Sequence, residues 1–444
     1  MQSLKFSLMF STVDREKICR EDQMPASALR CPPQAVAESE PRKAVFETDV
    51  VEPGLDLAST LRVITTKYGK TYQRLLLDLA KASFGPGKLS YDEFIGLRLF
   101  DDAWLAGADT SAFVGLDAER RIWMAANNNS EWWGLMRNKL AVTTLLGGYG
   151  FPVIPTLALY SDAICMRGVP VMREPEALAG FLRSSRDYPL FGKPMDSQRS
   201  LGSIGLEAYD HVTDSLVTGL DRRIPVGEFA ASVAEHYKAG YIFQRRVAPH
   251  ARVRAIAGDR LATVRAITIL TDRGPQLLRA LWKIPAGENV ADNFWRSGNL
   301  LATLDLETAR VVRVVRGTGL GLEEVTHHPD TGAALIGAEV PNWREIVALA
   351  LDAASTLAEV PLIGWDMAAV ESGALIVEPN FTPDFFMTQL ADRRGMLDAR
   401  FNAFLEGCKG AALQIKRKRR SLHNAETQER LRRLGRDMAG TSRT

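Results

Sequence analysis

The sequence predicts an α+β protein with a mostly helical N-terminal region, and two features of the chain carry this prediction. Between Leu55 and Ala82, apolar residues recur at the spacing of an amphipathic helix. From Tyr188 to Asn380, short apolar runs alternate with turns and only a few helices, which differs from the regular alternation of a βαβ fold. The length of 444 residues is enough for two or three domains.

The composition is that of an ordinary globular protein. Hydrophobic residues make up 46% of the chain, and 55 basic against 53 acidic residues give a net charge of +2. Because the charge is so nearly balanced, nucleic acid and membrane partners are not expected. The four cysteines form no CxxC pair and have no histidine at ligand spacing, which argues against a zinc site and a disulfide framework. No apolar stretch approaches the roughly 20 residues of a membrane helix, and a cytoplasmic location is expected.

We divide the chain into four parts. Residues 1–50 are rich in Pro, Glu, Arg and Ser without a sustained period, which predicts a flexible segment. Residues 51–130 form the helical region, and residues 131–413 form the α+β domain. Residues 414–444 are a basic tail whose KRKRR run could contact nucleic acid or anionic lipid, although a solvated tail is the simpler interpretation.

The elements follow from periodicity and from their end signals. Ser90 and Glu93 stand at capping-box spacing and predict a helix start, whereas GTGLGL, from Gly317 to Leu322, is interpreted as a turn because no third spaced glycine or helix follows. The other predicted helices are Leu55–Ala82, a helix capped by Ser130 that carries Lys139 and stops at Gly147, Glu174–Arg183 and Trp343–Glu359. The predicted extended runs are Phe151–Leu159, Tyr241–Val247, Leu261–Leu270, Gln276–Ile284 and Leu300–Leu304.

The stretch GWDMAAVESGALIVEPN places Asp366, Glu378 and Asn380 in two apolar runs. We interpret the runs as a hairpin with a three-residue loop, Glu371–Gly373, in which Asp366 pairs with Glu378. Strand side chains alternate between faces, so the three polar side chains share one face. Opposed carboxylates repel, and their burial is costly unless a cation lies between them. Their hard oxygen ligands suit Mg²⁺ or Mn²⁺.

Two alternatives remain open at this point. The hairpin residues alone slightly favour a solvent-facing polar strip on an edge strand, a position that Pro379 also favours. The stretch LFGKPMDSQRSLGSIG places Lys193 at a strand end before a Ser/Gly-rich loop, Asp196–Ser203, whose amides suit an anion. The loop is not a Walker A motif, and an ordinary hairpin with a disordered tip would explain it as well.

A family resemblance weighs against these alternatives. Seven stretches between about Tyr91 and Asp384 occur in the order found in the sugar-transfer associated ATP-grasp proteins, a family related to α-L-glutamate ligases. The stretches are SYDEFIGLRLFDD, RNKLAVTTLLGGYGFPVIPT, LFGKPMDSQRSLGSIG, YIFQRRVAPH, LATVRAITIL, VADNFWRSGNLLATLDLETARV and GWDMAAV with LIVEPN. The resemblance implies an ATP-grasp fold, in which two α+β subdomains, about 136–240 and 241–413, grip ATP.

The resemblance also implies roles for individual residues. Lys139 and Lys193 match phosphate-contacting lysines, and Asp366, Glu378 and Asn380 match the magnesium ligands. The remaining residues expected to bind ATP lie in the Ser/Gly loop and in the strand end that meets adenine: Ser200, Gly202, Ser203, Gln244, Arg245 and Val247. The expected cofactors are therefore ATP and Mg²⁺ or Mn²⁺.

The expected chemistry is ATP-dependent ligation of a small-molecule carboxylate to an amine through an acyl-phosphate, in cell-surface polysaccharide or peptide modification. Arg265 and Lys193 are the catalytic candidates, while Lys283 and Arg296 are weaker candidates for the same place. Asp292 and Asn293 are expected either near the metal or acceptor or in a turn. The alternatives are an ATP-grasp phosphotransferase and a nucleotide-binding scaffold without turnover, and the oligomeric state stays open.

Three departures from the family pattern are visible. Gln198 and Arg199 are inserted in the phosphate loop, Pro379 stands between Glu378 and Asn380, and Ser297-Gly298-Asn299 replaces a glycine pair. They are expected to affect loop closure, the metal hairpin and the acceptor pocket, respectively.

Overall fold

A computed structural model describes residues 56–196, 201–219, 222–289, 291–410 and 424–430. The predictions for residues 1–50, for Ser200, Gln198 and Arg199, and for the KRKRR run lie outside these ranges. The helices are α1 Leu57–Tyr68, α2 Tyr72–Phe84, α3 Tyr91–Gly96, α4 Asp102–Leu105, α5 Leu116–Ala126, α6 Glu131–Arg137, α7 Lys139–Gly148, α8 Pro175–Ser184, α9 Val226–His236, α10 Ala251–Ala257, α11 Trp343–Thr356 and α12 Phe385–Asp392.

The strands form two seven-stranded sheets. The first has the order β2-β1-β7-β3-β4-β5-β6, with β1 Thr156–Tyr160, β2 Val171–Met172, β3 Leu190–Pro194, β4 Ile204–Asp210, β5 Ser215–Thr218, β6 Arg223–Pro225 and β7 Tyr241–Arg245. The second has the order β12-β11-β10-β9-β8-β13-β14, with β8 Thr263–Thr271, β9 Gly274–Ile284, β10 Leu300–Leu304, β11 Val311–Arg316, β12 Glu323–Glu324, β13 Leu362–Val370 and β14 Gly373–Asn380. The second sheet is antiparallel throughout. This is the predicted α+β arrangement behind a helical region.

Two predicted helices are each two helices in the structure. Gly69 ends α1 in the left-handed conformation, at φ 68°, and the side chain of Thr71 then accepts a bond from an α2 amide. Asn138 likewise ends α6, and its side chain caps α7, so Ser130 does not begin the helix that carries Lys139. In both places a local cap signal overrides continuous apolar spacing. The Ser90–Glu93 capping box is confirmed.

The hairpin of β13 and β14 differs from its predicted register near the turn and agrees with it at the acids. Val370 pairs with Gly373, which leaves a two-residue loop instead of three. The predicted loop length is therefore wrong by one residue. An irregularity between Met367 and Asp366 restores the register, so that Asp366 is opposite Glu378 as predicted. An extra residue on one strand is a β-bulge, which re-aims the side chains beyond it.

The helical region is built into the second sheet. Side chains on the two faces of the second sheet belong to different buried clusters, because successive residues of a strand point to opposite faces. Leu281 and Leu301 lie in a cluster with Phe94 of α3, whereas Trp282 lies in a cluster with Ile346 of α11. The described residues, which begin at residue 56, therefore belong to one compact unit.

Asn127, at the end of α5, continues the hydrogen bonding of the second sheet. Its side chain is fully buried; it accepts from the amide of Leu362 at 2.9 Å and donates to the Leu362 carbonyl at 2.9 Å and to the Phe381 carbonyl at 3.3 Å. The side chain thus replaces a strand partner where β14 has ended.

We expect Asn127→Ala to lower the free energy of unfolding by about 2–3 kcal/mol, because it leaves buried backbone groups of Leu362 without partners. Urea denaturation measures the change. Asn128→Ala is the matched control, since the neighbouring side chain is exposed, and it should change the stability by less than about 0.5 kcal/mol. Equal unfolding midpoints for the two variants would contradict the bridging role.

Candidate active site

The hairpin of β13 and β14 presents the paired acids. Asp366 and Glu378 are directly opposite, and the Asn380 amide donates to Asp366 Oδ2 at 3.3 Å. Asp366 is only 4% exposed, whereas the side chain of Glu378 is 24% exposed. The polar face of the hairpin therefore points inward, and the interpretation as a solvent-facing strip is wrong for Asp366.

Asp366 is held by two buried cations. Arg265 on β8 donates from Nε to Oδ1 at 2.7 Å and from Nη2 to Oδ2 at 3.1 Å, a bidentate contact. Lys283 on β9 lies with its Nζ 3.1 Å from Oδ1. Burial alone would raise the pKa of Asp366, but the charges of Arg265 and Lys283 outweigh it and hold the pKa well below its usual range. Asp366 is therefore an anion at neutral pH.

The network extends through Lys283 to Asp292. The Nζ atom of Lys283 is 3.4 Å from Asp292 Oδ1, and Oδ2 of Asp292 accepts from the backbone amide of Thr263 at 2.8 Å and from its hydroxyl. Asn293, the next residue in sequence, accepts from the Trp295 amide and thus shapes the following turn. Asp292 accordingly joins the buried charge network, whereas this bond of the Asn293 side chain is a turn contact.

Glu378 lies beside the cation of Lys139. Lys139, the first residue of α7, lies with its Nζ 3.4 Å from Glu378 Oε2. Burial raises the pKa of Glu378, but the charge of Lys139, helped by that of Lys193, more than offsets burial and the repulsion of Asp366, so that the pKa is lowered. The two lysines and the two carboxylates therefore share one electrostatic environment.

Lys193 on β3 is the most perturbed cation of this group. Its side chain is 5% exposed, and burial together with the charge of Lys139 lowers its pKa to about 8, against the opposing pull of Glu378 and Asp366. A buried amine whose pKa is shifted this far by burial and neighbouring charges is a marker of a functional site.

The residues predicted to meet adenine lie where β7 ends. Gln244 is 2% exposed and donates to the Ile154 carbonyl at 2.8 Å, while its Oε1 atom is buried without a hydrogen-bond partner among the described residues. Arg245 is the last residue of β7, and its side chain forms an ion pair with Asp187. Val247 lies two residues beyond the strand end. The orphaned oxygen of Gln244 can accept a bond from a ligand.

The Ser/Gly loop requires glycine at one position. Gly202 has φ +71°, and a Cβ there would lie 2.1 Å from the hydroxyl of Tyr237. Tyr241 donates to the Gly202 carbonyl at 2.7 Å and so holds the backbone of the loop against β7. Ser203 follows directly and precedes β4.

Two histidines and two tryptophans of the described structure have structural contacts. His250 caps α10 through a bond from the Arg252 amide, and the buried His328 bonds the Pro285 carbonyl. Trp133 donates to the Asn127 carbonyl at 2.7 Å and, like Trp132, packs against the main buried cluster. Within the described ranges, no group of three or more His, Cys, Asp and Glu side chains could hold a metal ion.

The sequence interpretation missed Glu119. This residue of α5 is 5% exposed and accepts a bond from the Phe385 amide at 3.1 Å. Its signal in the sequence is its position four residues before the buried Trp123 and seven before the buried Ala126, on the apolar face of the helix.

Comparison with known proteins finds one family match within the chain. Residues 219–403 match the family model described as sugar-transfer associated ATP-grasp. No curated protein matches the chain.

Three solved structures, two of D-alanine–D-alanine ligases and one of a synthetase, are similar to the chain at low identity. D-alanine–D-alanine ligase from Bacillus anthracis is 11% identical over 64% of this chain and 70% of its own, with a TM-score of 0.34. The ligase of the same name from Helicobacter pylori is 14% identical over 62% and 61%, with a TM-score of 0.34. N5-carboxyaminoimidazole ribonucleotide synthetase from Thermus thermophilus is 13% identical over 61% and 52%, with a TM-score of 0.30. Among the described helices, none is both long and apolar enough to cross a membrane.

Proposed function

We propose that the protein is an ATP- and Mg²⁺-dependent carboxylate–amine ligase that acts through an acyl-phosphate. One observation carries the proposal. Lys139 on α7 lies with its Nζ 3.4 Å from Glu378 Oε2, and the charge of Lys193 in the first sheet interacts with those of Asp366 and Glu378 in the second sheet. A metal-bound polyphosphate needs both groups, because the carboxylates would hold the metal and the cations would offset the charge of the phosphates.

The donor set fits Mg²⁺ or Mn²⁺. Asp366 and Glu378 offer carboxylate oxygens, and Asn380, whose amide nitrogen contacts Asp366, brings an amide oxygen to the same face. Magnesium is commonly bound through one or two carboxylates while water and substrate phosphates complete its coordination, so a third acid is not needed. The bound metal would neutralise charge on the transferred phosphoryl group.

The cation set and the end of β7 fit ATP. Lys139 and Lys193 would contact the phosphates, together with the backbone of the loop at Ser200, Gly202 and Ser203. The buried Oε1 atom of Gln244 would accept a hydrogen bond from the amino group of adenine, which would satisfy the one polar atom of that side chain without a partner in the described structure. The backbone at Arg245 and Val247 would line the same place.

The reaction has two steps. A carboxylate oxygen of the first substrate forms a bond to the γ-phosphorus while the bond to the bridging oxygen breaks, giving an acyl-phosphate and ADP. The amine nitrogen of the second substrate then bonds to the acyl carbon, phosphate leaves with the oxygen, and the amine loses its proton. Arg265 and Lys193 would offset the charge on the transferred group, which is the main requirement of phosphoryl transfer.

The wider context belongs to the same proposal. We place the substrates among small carboxylates and amines used in cell-surface polysaccharide or peptide modification, and the enzyme in the cytoplasm. Residues 131–413 would be the catalytic domain, with subdomains at about 136–240 and 241–413. A phosphotransferase would use the same site on a hydroxyl, and hydroxylamine separates the two activities because only an acyl-phosphate yields a hydroxamate.

We expect Glu378→Gln to weaken Mg²⁺-ATP binding by at least about 10- to 100-fold, the range found for residues that merely support a metal ligand. Isothermal titration calorimetry measures the change. Glu371→Gln, in the exposed loop of the same hairpin, is the matched control and should bind like the wild type. Absence of Mg²⁺-ATP binding by the folded wild-type protein would reject the proposed function.

A further inference from the structure

The helical region sends one acid towards the candidate site, and no role proposed above uses it. Glu119 lies outside residues 219–403, where the family match is found. Its neighbours Asp117 and Arg120 on α5 are exposed, whereas Glu119 points into the interior and is 5% exposed. A buried carboxyl needs a reason, because burial of an acid without a paired cation is costly.

The contacts of Glu119 converge on the turn before α12. Its Oε2 atom accepts from the Phe385 amide at 3.1 Å. Asp384, the residue before, caps α12 in the left-handed conformation at φ 61°, and its carboxylate accepts from Trp295 Nε1 at 2.9 Å. Glu119 and Trp295 thus fix this strained turn from two sides.

The same turn holds the catalytic candidate Arg265. The Pro383 carbonyl accepts from Arg265 Nη1 at 2.8 Å, while the other two nitrogens of the guanidinium contact Asp366. A Cβ added at Gly364 would lie 2.9 Å from Pro383 Cα and 3.2 Å from Arg265 Cδ, so the turn, the arginine and β13 are in close contact. A shift of the turn therefore moves the anchor of Arg265.

We propose that Glu119 is a positioning residue, which fixes the turn Pro383–Phe385 and through it holds Arg265 in place for the terminal phosphate of ATP. The inference rests on the proposed function, since it needs ATP in the cleft. It makes the helical region part of the active site, because a residue of α5 sets the geometry of a residue on β8.

The protonation state of Glu119 supports the role. Burial and the charge of Asp384 raise the pKa of Glu119 to about 8, against the opposing effect of the Phe385 and Asp384 amides and of Arg265. The charged groups that act on it are thus Asp384 before α12 and Arg265 on β8. Glu119 is mostly neutral at pH 7; ionised, it would attract the guanidinium of Arg265 away from phosphate.

The test measures the preference for Mg²⁺-ATP over Mg²⁺-ADP by calorimetry, because a group at the terminal phosphate affects only ATP. We expect Glu119→Ala to reduce the preference about tenfold, because Arg265 would lose one hydrogen bond to the charged terminal phosphate. Glu119→Gln keeps the acceptor and should retain the wild-type preference at about pH 7. Asp117→Asn, on the exposed face of the same helix, is the matched control and should leave the preference unchanged.

The pH dependence separates positioning from a structural role. Between about pH 7 and about pH 9 the wild-type preference should fall as Glu119 ionises, and Glu119→Gln should lack this part of the fall. Lys193 also titrates near pH 8, but it is present in both proteins, so their difference reports Glu119 alone. A folded Glu119→Ala with the wild-type preference, or a Glu119→Gln variant with the full wild-type fall, would overturn the inference. If Glu119→Ala does not fold, the Gln comparison decides. Failure of the wild type to bind Mg²⁺-ATP would instead reject the proposed function.

Discussion

Asp366→Asn should lower the free energy of unfolding by about 3–5 kcal/mol, the cost of leaving a buried charge without its partner. Arg265 and Lys283 are 6% and 5% exposed, and both direct their charge at Asp366. The amide cannot balance two cations, although it retains the shape of the side chain. Chemical denaturation monitored by circular dichroism measures the change.

The same variant should also lose Mg²⁺-ATP binding, so its two effects must be separated. Glu378→Gln serves as the comparison, because Glu378 is partly exposed and pairs with a single lysine at 3.4 Å. We expect that variant to lose nucleotide binding with a stability change of less than about 1 kcal/mol. If Asp366→Asn were as stable as the wild type, the ion cluster would not be buried as the structure shows.

Lys193→Met should reduce turnover about 100- to 1,000-fold, the range for removal of one preorganised group that stabilises transition-state charge. The measurement is ADP release once a substrate pair is found, with hydroxylamine as the acceptor until then. Lys238→Met is a matched control, because that lysine is exposed and lies on the loop after α9. Equal rates for the wild type and Lys193→Met would remove Lys193 from the catalytic set.

The lowered pKa of Lys193 predicts opposite effects of a rise in pH on Mg²⁺-ATP binding and on the free energy of unfolding. Phosphate prefers the protonated amine, so the affinity for Mg²⁺-ATP should fall as the pH rises through about 8. The folded protein binds fewer protons than the unfolded chain between about pH 8 and the ordinary lysine pKa near 10.4, so the contribution of Lys193 to stability rises with pH in that window. The part of each trend that comes from Lys193 should be absent from Lys193→Met, whereas the part that comes from Glu119 should remain. A binding curve without a change near pH 8 in the wild type would contradict the assignment.

The pairing of Asp366 with Glu378 could be predicted from the sequence because it depends on local rules. Strand alternation and a short loop place the acids opposite each other, and the error of one residue at Gly373 was compensated by a bulge that local patterns do not specify. The separation of α1 from α2 was missed for a similar reason, since the cap at Gly69 is a one-residue signal within a long apolar pattern.

The long-range contacts of buried polar side chains could not be predicted in the same way. Asn127 and Glu119 act on residues more than 200 positions away, and nothing in their immediate neighbours indicates the contact. The sequence does show that Glu119 is on the apolar side of its helix. It does not show whether this acid merely interrupts the apolar pattern or has a function. Only the tertiary arrangement answers this, because a buried polar group is explained by its partner.

The hydrogen bonds of the Asn127 side chain determine whether the helical region can be separated from the second sheet. An ordinary fusion of a helical domain to a catalytic domain can be cut at the linker, because each part satisfies its own backbone. Here the last turn of α5 completes the hydrogen bonding of β13, so removal of the segment ahead of Glu131 would expose unpaired backbone of the catalytic sheet. The helical region is therefore required for the stability of the sheet, and a shortened protein that begins at α6 should be recovered as an aggregate.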